Sequence, residues 1–594
     1  MEITRTFDLL ERYRQHFNKP DVFVSKAGGK WRPYSTDEYL EYSTSFSLGM
    51  LAMGFGKGDR VATITTNRPE WNFVDMGLTM AGIIHVPIFS TLSLREFNHI
   101  LRHAGVSLLI FGDKQLYSKL GNEASSILQE DRIFSFNPIP GVRCWTEILE
   151  LGRKQGSELT GLLEKTRNET TPDDPAVLIY TSGTTGPSKG VLLSHRNLVS
   201  NFLAAADVFR LKSEYRYLSI LPLCHVGGRL GNYQTQYSGT TIYYAENLGT
   251  IAENMREIRP EGFDAVPRIL EKIFNTILQK GNKLTGFKKR IFFWSIALGL
   301  KYRPDGNNPW HYRLRHRLAD KLIFSKWREA IGGKIQLVGC GGAALQPRIE
   351  RIFWAAGVKV INMYGLTETS PIITINRASS PDLLLGSVGS VIPGVEIKIA
   401  ADGEILCKGP NVMLGYYGDD QATAQANDAE GWFHTGDIGE IVKGRFLMVT
   451  DRKKEVFKLA NGKFVSPQEI ENRLKESAFI DQAFVFGEGE KFASALIAPN
   501  FQLLAEWCAN RGCRHQQTGR MINNPKVLQH YQEIINKFNR HLEEFQYIKR
   551  FQLVEDEWSP HSGELSHTLK LKRKFILEKY VKVIDQIYSV SRTI

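Results

Sequence analysis

At 594 residues the chain is too long for one hydrophobic core and should divide into two or three domains. Its 42% hydrophobic and 11% aromatic content excludes wholesale disorder. The formal charge of +12, from 75 basic and 63 acidic residues, is a modest excess whose meaning depends on where it sits.

The first residues, Met1 to Arg12, carry early acids and no apolar core, so no secretory signal is expected in them. Arg60–Thr65 reads as an apolar strand. Asn67-Arg-Pro-Glu-Trp71 opens a helix with Pro69 in its first turn and Gly82 at its end. Ile83–Ile88 is the next strand. Ser93-Leu-Arg-Glu96 forms a capping box before a helix whose apolar face is Phe97, Ile100, Leu101 and Ala104. Ser107–Phe111 is a strand again. Strands alternating with helices imply an α/β layer with a mostly parallel sheet.

Two further strands, Ala176–Tyr180 and Val191–Ser194, enclose Tyr180-Thr-Ser-Gly-Thr-Thr-Gly-Pro-Ser-Lys-Gly190. Glycines let backbone N–H groups converge on an anion, hydroxyls add donors, and Lys189 supplies a positive charge. That is a phosphate cradle. It is not the common P-loop, because Pro187 and Ser188 separate Gly186 from Lys189. The loop resembles the nucleotide-binding signature of the adenylate-forming, or AMP-binding, superfamily: acyl-CoA synthetases, firefly-type luciferases and peptide-synthetase adenylation domains. The resemblance implies an α/β fold in two parts. A large N-terminal domain (1–452) would hold mixed α/β subdomains and a β-rich subdomain, and a small mobile α+β lid would follow (453–594). It also implies ATP contacts from Thr181, Ser182, Gly183, Thr184, Thr185, Gly186 and Lys189.

Strand-like runs return between Arg210 and Tyr244. Within them Leu221-Pro-Leu-Cys-His-Val226 and Arg229, like Val266-Pro-Arg268 and Asn67-Arg-Pro-Glu-Trp71, resemble the long-chain fatty acyl-CoA synthetase branch. By that resemblance His225 lines the acyl pocket; a buried histidine with a satisfied ring is the alternative. From Lys280 to Arg328 the sequence carries thirteen basic residues against Asp305 and Asp320, so this segment holds +11 and the rest about +1. Phe287, Phe292, Phe293, Trp294, Trp310, Phe324 and Trp327 are interleaved with them. Such a segment suits an anionic lipid surface, nucleic acid, or a solvated helical face with aromatics in the core. No nucleic-acid recognition motif accompanies it. Its longest apolar-rich stretch, Ile291–Leu300, is half the roughly twenty residues of a spanning helix, so no transmembrane segment is expected.

Lys334–Val338 reads as a strand leading into Gly339-Cys-Gly-Gly-Ala-Ala344. This imitates a dinucleotide fingerprint but lacks the acidic residue some twenty positions on; its Gly342 and Ala343 are taken with the ATP-binding residues. Asn362-Met-Tyr-Gly-Leu-Thr-Glu-Thr369, after a strand Val358–Ile361, resembles the superfamily's second signature. There Tyr364 and Gly365 would meet the nucleotide, Tyr364 against the adenine. Thr367 would donate to the α-phosphate and Glu368 would hold Mg2+, a hard oxygen ligand for a hard cation. From Gly386 to about Arg452 short Gly- and Pro-rich runs suggest the β-rich subdomain. In it Gly431-Trp-Phe-His-Thr-Gly-Asp437 resembles the superfamily's third signature, which implies Asp437 on the ribose hydroxyls, and Asp451-Arg452-Lys453-Lys454-Glu455 resembles the fourth, which implies Arg452 for ribose and phosphate and Lys454 as the hinge. Leu565-Ser-His-Thr-Leu-Lys570-Leu-Lys-Arg573 resembles the catalytic segment of the long-chain branch. Most of the superfamily has glycine where this chain has Leu569. Lys570 is the expected catalytic lysine, with Lys572, Arg573 and Lys574 crowding the assignment.

The activity implied is ATP-dependent conversion of a long-chain fatty acid to its adenylate, then transfer to coenzyme A. Two alternatives stay open: a ligase that loads an acyl carrier protein, and a non-catalytic lipid-binding relative. Six scattered cysteines suit free thiols in the cytoplasm, where the segment 280–328 would meet the inner face of the membrane. Chain length and oligomeric state are not legible.

Overall fold

The computed structural model describes residues 2–181, 187–247, 249–379, 381–509, 511, 518–566 and 570–592. An eight-stranded sheet is built around Ile84–Ile88, Arg60–Ile64, Leu108–Phe111, Ile133–Ser135 and Arg143–Cys144, all parallel. Pro175–Thr181 continues it, parallel to Ile84–Ile88, and Lys189–Ser194 and Gly415–Tyr416 are added antiparallel. The expected helix after Asn67 runs Pro69–Met80 with proline in its first turn, and Ser93 caps Leu94–His103 by accepting from the Glu96 N–H.

A nine-stranded sheet lies beside it. Its centre, Thr241–Tyr244, Arg216–Ser219, Gly262–Ala265, Leu337–Cys340 and Lys359–Gly365, is parallel. Three readings are corrected here. The strand expected at Lys334–Val338 is Leu337–Cys340, so Gly339 lies in the sheet and not in a turn. The strand before the second signature runs on through Tyr364 and Gly365. The stretch Arg210–Tyr244 holds a buried helix, Val226–Tyr237, between its two strands.

That helix locks the two sheets together. Arg229 is fully buried and donates to Asp75 Oδ1 at 2.7 Å and to the Tyr233 hydroxyl at 2.8 Å. Asp75 also receives the Tyr233 hydroxyl, and His85 Nδ1 lies 2.6 Å from it. The Arg229 guanidinium and these donors hold the Asp75 carboxyl well below the usual range despite its burial. Asp75 and His85 belong to the first sheet layer and Arg229 to the second, so cutting the network would leave charges unpaired in the core.

A four-stranded antiparallel sheet, Glu396–Ile399, Glu404–Lys408, Phe433–Val442 and Phe446–Arg452, forms the β-rich part. Beyond it a three-stranded sheet, Ile480–Phe486, Ala493–Pro499 and Ile548–Leu553, packs with helices around its own core. The fold is thus α/β, with a large N-terminal part and a smaller α+β C-terminal one. Among the described residues no helix is long and apolar enough to cross a membrane.

The aromatics of the basic segment divide. Phe292, Phe324 and Trp327 are in the core, whereas Phe287 and Trp310 are 76% and 74% exposed.

Candidate active site

The site gathers at the carboxyl ends of the parallel strands, where open α/β sheets leave a crevice. Thr181 and Lys189 face each other across the antiparallel pair that opens and closes the cradle loop. Lys189 points its ammonium over the Tyr416 ring, 4.6 Å from the centroid, with Asp419 3.9 Å away. Ser182, Gly183, Thr184, Thr185 and Gly186 lie outside the described residues. The Tyr180 hydroxyl meets His103 Nδ1 at 2.7 Å, fixing the base of the loop.

Tyr364 ends its strand with Gly365, where a Cβ would come within 1.6 Å of the Pro371 carbonyl. Glycine is therefore required there for close backbone approach, independent of any ligand. Thr367, Glu368 and Thr369 form one 3-10 turn that follows directly. Glu368 accepts from the Tyr416 hydroxyl at 3.0 Å, and its own carbonyl receives the Met413 N–H. A single half-exposed carboxylate suits Mg2+, which keeps water and phosphate as most of its ligands.

Asp437 sits opposite Arg452 in adjacent strands, and Arg452 Nε reaches its Oδ1 at 2.9 Å. Its Oδ2 accepts the Tyr364 hydroxyl at 2.8 Å. Burial beside the Asp437 charge pushes the Tyr364 phenol far up, so it is a neutral donor at any working pH.

Lys570 comes to this cluster from the C-terminal part. It closes a short hairpin, bridged Leu565 to Leu571, in which Ser566 and Lys570 exchange hydrogen bonds. Thr568 and Leu569 lie outside the described residues. The surrounding walls and the Arg452 guanidinium lower the Lys570 pKa to about 8, although the side chain is open to solvent; Asp437, Glu455 and Glu368 pull the other way. Those charges act on Lys570 only because it is among them. His225 caps the helix Val226–Tyr237, accepting from the Gly227 N–H, and is pushed down to about 4 by burial and by Lys570. Gly342 and Ala343 are exposed in the turn after Leu337–Cys340, with Gly342 at φ +84.

Residues 10–417 match the AMP-binding enzyme family and residues 454–592 its C-terminal domain. The chain belongs to this family. Within it, the chain is close to the long-chain acyl-CoA synthetases. The long-chain-fatty-acid–CoA ligase FadD15 of Mycobacterium bovis is 30% identical over 96% of this chain and 94% of its own length. Long chain acyl-CoA synthetase 6, peroxisomal, of Arabidopsis thaliana is 30% identical over 94% and 82%. Among solved structures, the adenylation domain of a carboxylate reductase from Mycobacterium chelonae superposes with TM-score 0.74 at 21% identity, covering 98% of this chain and 91% of that one. An anthranilate CoA ligase with anthranoyl-AMP gives 0.72 at 18%, covering 98% of both.

Several long-range contacts of this AMP-binding chain escape a sequence reading. Arg573 pairs with Glu455 at 2.9 Å and Glu471 at 2.7 Å, which anchors the Lys570 hairpin beside the turn holding Lys454. That separates Arg573, a tether, from Lys570, which faces the cluster. Arg268 makes two contacts with the Asp481 carboxylate, at 2.6 and 2.5 Å, joining the N-terminal part to the C-terminal sheet. Asp264 is buried beneath the helix Val226–Tyr237, where a Cβ on Gly231 or Gly339 would approach within 2.1 Å of its oxygens. Its Oδ1 has no partner, and burial pushes the carboxyl up to about 6. None of these has a local signal, because each partner is distant in sequence.

Proposed function

We propose that the chain is an AMP-forming acyl-CoA ligase that acts on long-chain fatty acids. The observation that carries this reading is the convergence of Tyr364, Glu368, Asp437 and Arg452 with Lys570 of the C-terminal part. Relatives named as long-chain-fatty-acid–CoA ligases, similar over nearly the whole chain, support the substrate class.

In the first half-reaction a carboxylate oxygen of the acid bonds to the α-phosphorus of ATP and the bond to pyrophosphate breaks. Both reactants are anions, so the site must neutralise charge as they meet. Lys570 stands between carboxylate and α-phosphate, and Thr367 donates to the α-phosphate. Thr181 and Lys189, with the loop they bracket, hold the outer phosphates, and Gly342 and Ala343 border the nucleotide. Tyr364 lies against the adenine, and Asp437 turns from its present partners to the ribose hydroxyls, with Arg452 beside it. Glu368 would hold Mg2+, which supplies further neutralisation of the triphosphate when bound. In the second half-reaction the coenzyme A thiol loses its proton, its sulfur bonds to the adenylate carbonyl carbon, and AMP leaves. Lys570 is not needed then, so the C-terminal part turns about Lys454 to admit the thiol. His225, at the head of its helix, lines the acyl path. ATP and coenzyme A are cytoplasmic, and a water-insoluble acid arrives from a bilayer, which the basic segment 280–328 is suited to meet.

The test is AMP release across saturated acids from C2 to C20, with coenzyme A present. Release that rises with chain length and yields the thioester is expected. Pyrophosphate exchange without a thioester would instead favour transfer to a carrier protein. No acyl-dependent exchange would leave a non-catalytic relative.

A further inference from the structure

We infer that the helices Gly286–Gly299 and Trp310–Ala319 form an in-plane docking face for an anionic lipid surface. Of the fourteen large hydrophobic side chains exposed among the described residues, six lie here: Phe287, Phe293, Leu300, Trp310, Leu314 and Leu318. Such clustering in a short stretch is not the scatter expected of ordinary surface residues. The spacing makes it a surface. Trp310, Leu314 and Leu318 repeat every four residues along one side of their helix. The opposite side, Tyr312 and Ala319, is buried, and the Tyr312 hydroxyl donates to the Leu298 carbonyl. The outward stripe is therefore not spare core. Arg313, Arg315 and Arg317 flank it on both sides.

The basic residues around the stripe are largely without carboxylate partners. Among the described residues, one of the thirteen between Lys280 and Arg328 forms an ion pair, Arg328 with Asp320 at 2.6 Å. Arg313 donates to the Asn308 and Gly306 carbonyls and Lys289 to the Asn282 carbonyl, bonds that fix these side chains and leave their charge uncompensated. Exposed aromatic and leucine side chains set among cations match the boundary between headgroups and acyl chains. A second copy of the same face would bring +11 against +11, which disfavours self-association. Nucleic acid would use the cations and leave Leu314 and Leu318 exposed.

The docking face concerns where the chain works, and it stands or falls apart from the acid's length. The full chain is floated with vesicles of phosphatidylcholine alone and of phosphatidylcholine mixed with phosphatidylglycerol. Two variants are compared with the parent: Trp310→Ser with Leu314→Ser, and Lys288→Glu with Lys289→Glu and Arg290→Glu. Pyrophosphate exchange with a short soluble acid reports that both remain folded. The expected result is binding to the mixed vesicles, lost as the Debye length shrinks from about 10 Å towards 3 Å. Each variant should weaken it about tenfold or more. A parent that does not float with mixed vesicles overturns the inference. So does a serine variant that binds like the parent while the glutamate variant fails, especially if duplex DNA competes, because the stripe would then have no part. Vesicle binding by the serine variant equal to the parent, together with loss of a parent dimer, would reassign the face to a second copy.

Discussion

The active-site cleft and the basic segment hold charge in opposite ways. In the cleft nearly every charge has an opposite within reach: Asp437 between Arg452 and Tyr364, Arg573 between Glu455 and Glu471. In the segment 280–328 a single pair, Arg328 with Asp320, is made among the described residues, and the other cations are exposed. Paired charge in a crowded cleft is geometrically fixed, and so can select one reacting arrangement. Unpaired exposed charge selects nothing in detail; it acts as a field on any extended anionic surface. Lys570 differs from these pairs. Desolvation by the surrounding walls, and after it the neighbouring Arg452 guanidinium, lower its pKa to about 8 against the pull of Asp437, Glu455 and Glu368. A negative triphosphate arriving beside it would relieve that cost, which suits the part given to Lys570 in the proposed reaction.

The largest effect should therefore follow loss of that one cation. Lys570→Ala is expected to reduce pyrophosphate exchange by about 10²–10³ while sparing thioester formation from supplied acyl-adenylate. Removing Lys288 from the basic segment, a change of equal charge, should leave exchange within about twofold, as surface substitutions usually do. If Lys572→Ala gives the large defect instead, Lys572 is the catalytic lysine and the assignment is off by two residues.

Glu368→Gln comes next. The amide keeps shape and the Tyr416 contact but loses the charge that a hard cation needs. The apparent Mg2+ requirement should rise about tenfold or more, read from the Mg2+ dependence of exchange. An unchanged titration would mean the metal is carried by the triphosphate alone.

A smaller effect is expected from pH. In the proposed reaction the ammonium of Lys570 is the active form, present below about pH 8 and lost above it. The kcat/KM for adenylation should thus fall on the alkaline side, approaching tenfold per unit, with its midpoint near 8. Bound phosphates favour the ammonium, so the limb in kcat should lie higher. A limb that persists in Lys570→Arg would belong to another group.

Much of this cleft could be read from sequence because its pieces are local. The strands Pro175–Thr181 and Lys189–Ser194 announce themselves as apolar runs around a glycine-rich loop, and Tyr364 to Thr369 is one continuous motif. The helix Val226–Tyr237 could not be read in this way. It buries Arg229, Asn232, Gln234 and Gln236, so polar residues stand where a helical apolar stripe would be sought. Likewise Gly339 belongs to a strand whose small residues make room for the Asp264 carboxylate, a cause visible only across two strands. Tyr416 reaches Glu368 from a strand that joins the other sheet. What sequence hides here is the polar interior: long-range pairs chosen by shape, with no periodicity.

Between the paired cleft and the unpaired segment stands the contact of Arg268 with Asp481, a half-buried ionic link between the N-terminal part and the C-terminal sheet. It is made in the same arrangement that sets Lys570 near Arg452 and Asp437. If that arrangement serves only adenylation, the pair must break when the C-terminal part turns to admit coenzyme A. Asp481→Asn keeps the size and one acceptor oxygen but removes the charge. Hydrogen bonds to charged groups contribute about 1.5–3 kcal/mol, and part of that is regained from water on opening. The expected loss in pyrophosphate exchange is therefore about two- to tenfold, well below that of Lys570→Ala. Thioester formation from supplied acyl-adenylate should be unchanged or faster, because the opened arrangement is no longer opposed. A variant slowed equally in both half-reactions would show that the pair merely stabilises the fold. One slowed in neither would mean that the Lys570 hairpin, tethered through Arg573 to Glu455, finds the cleft without it.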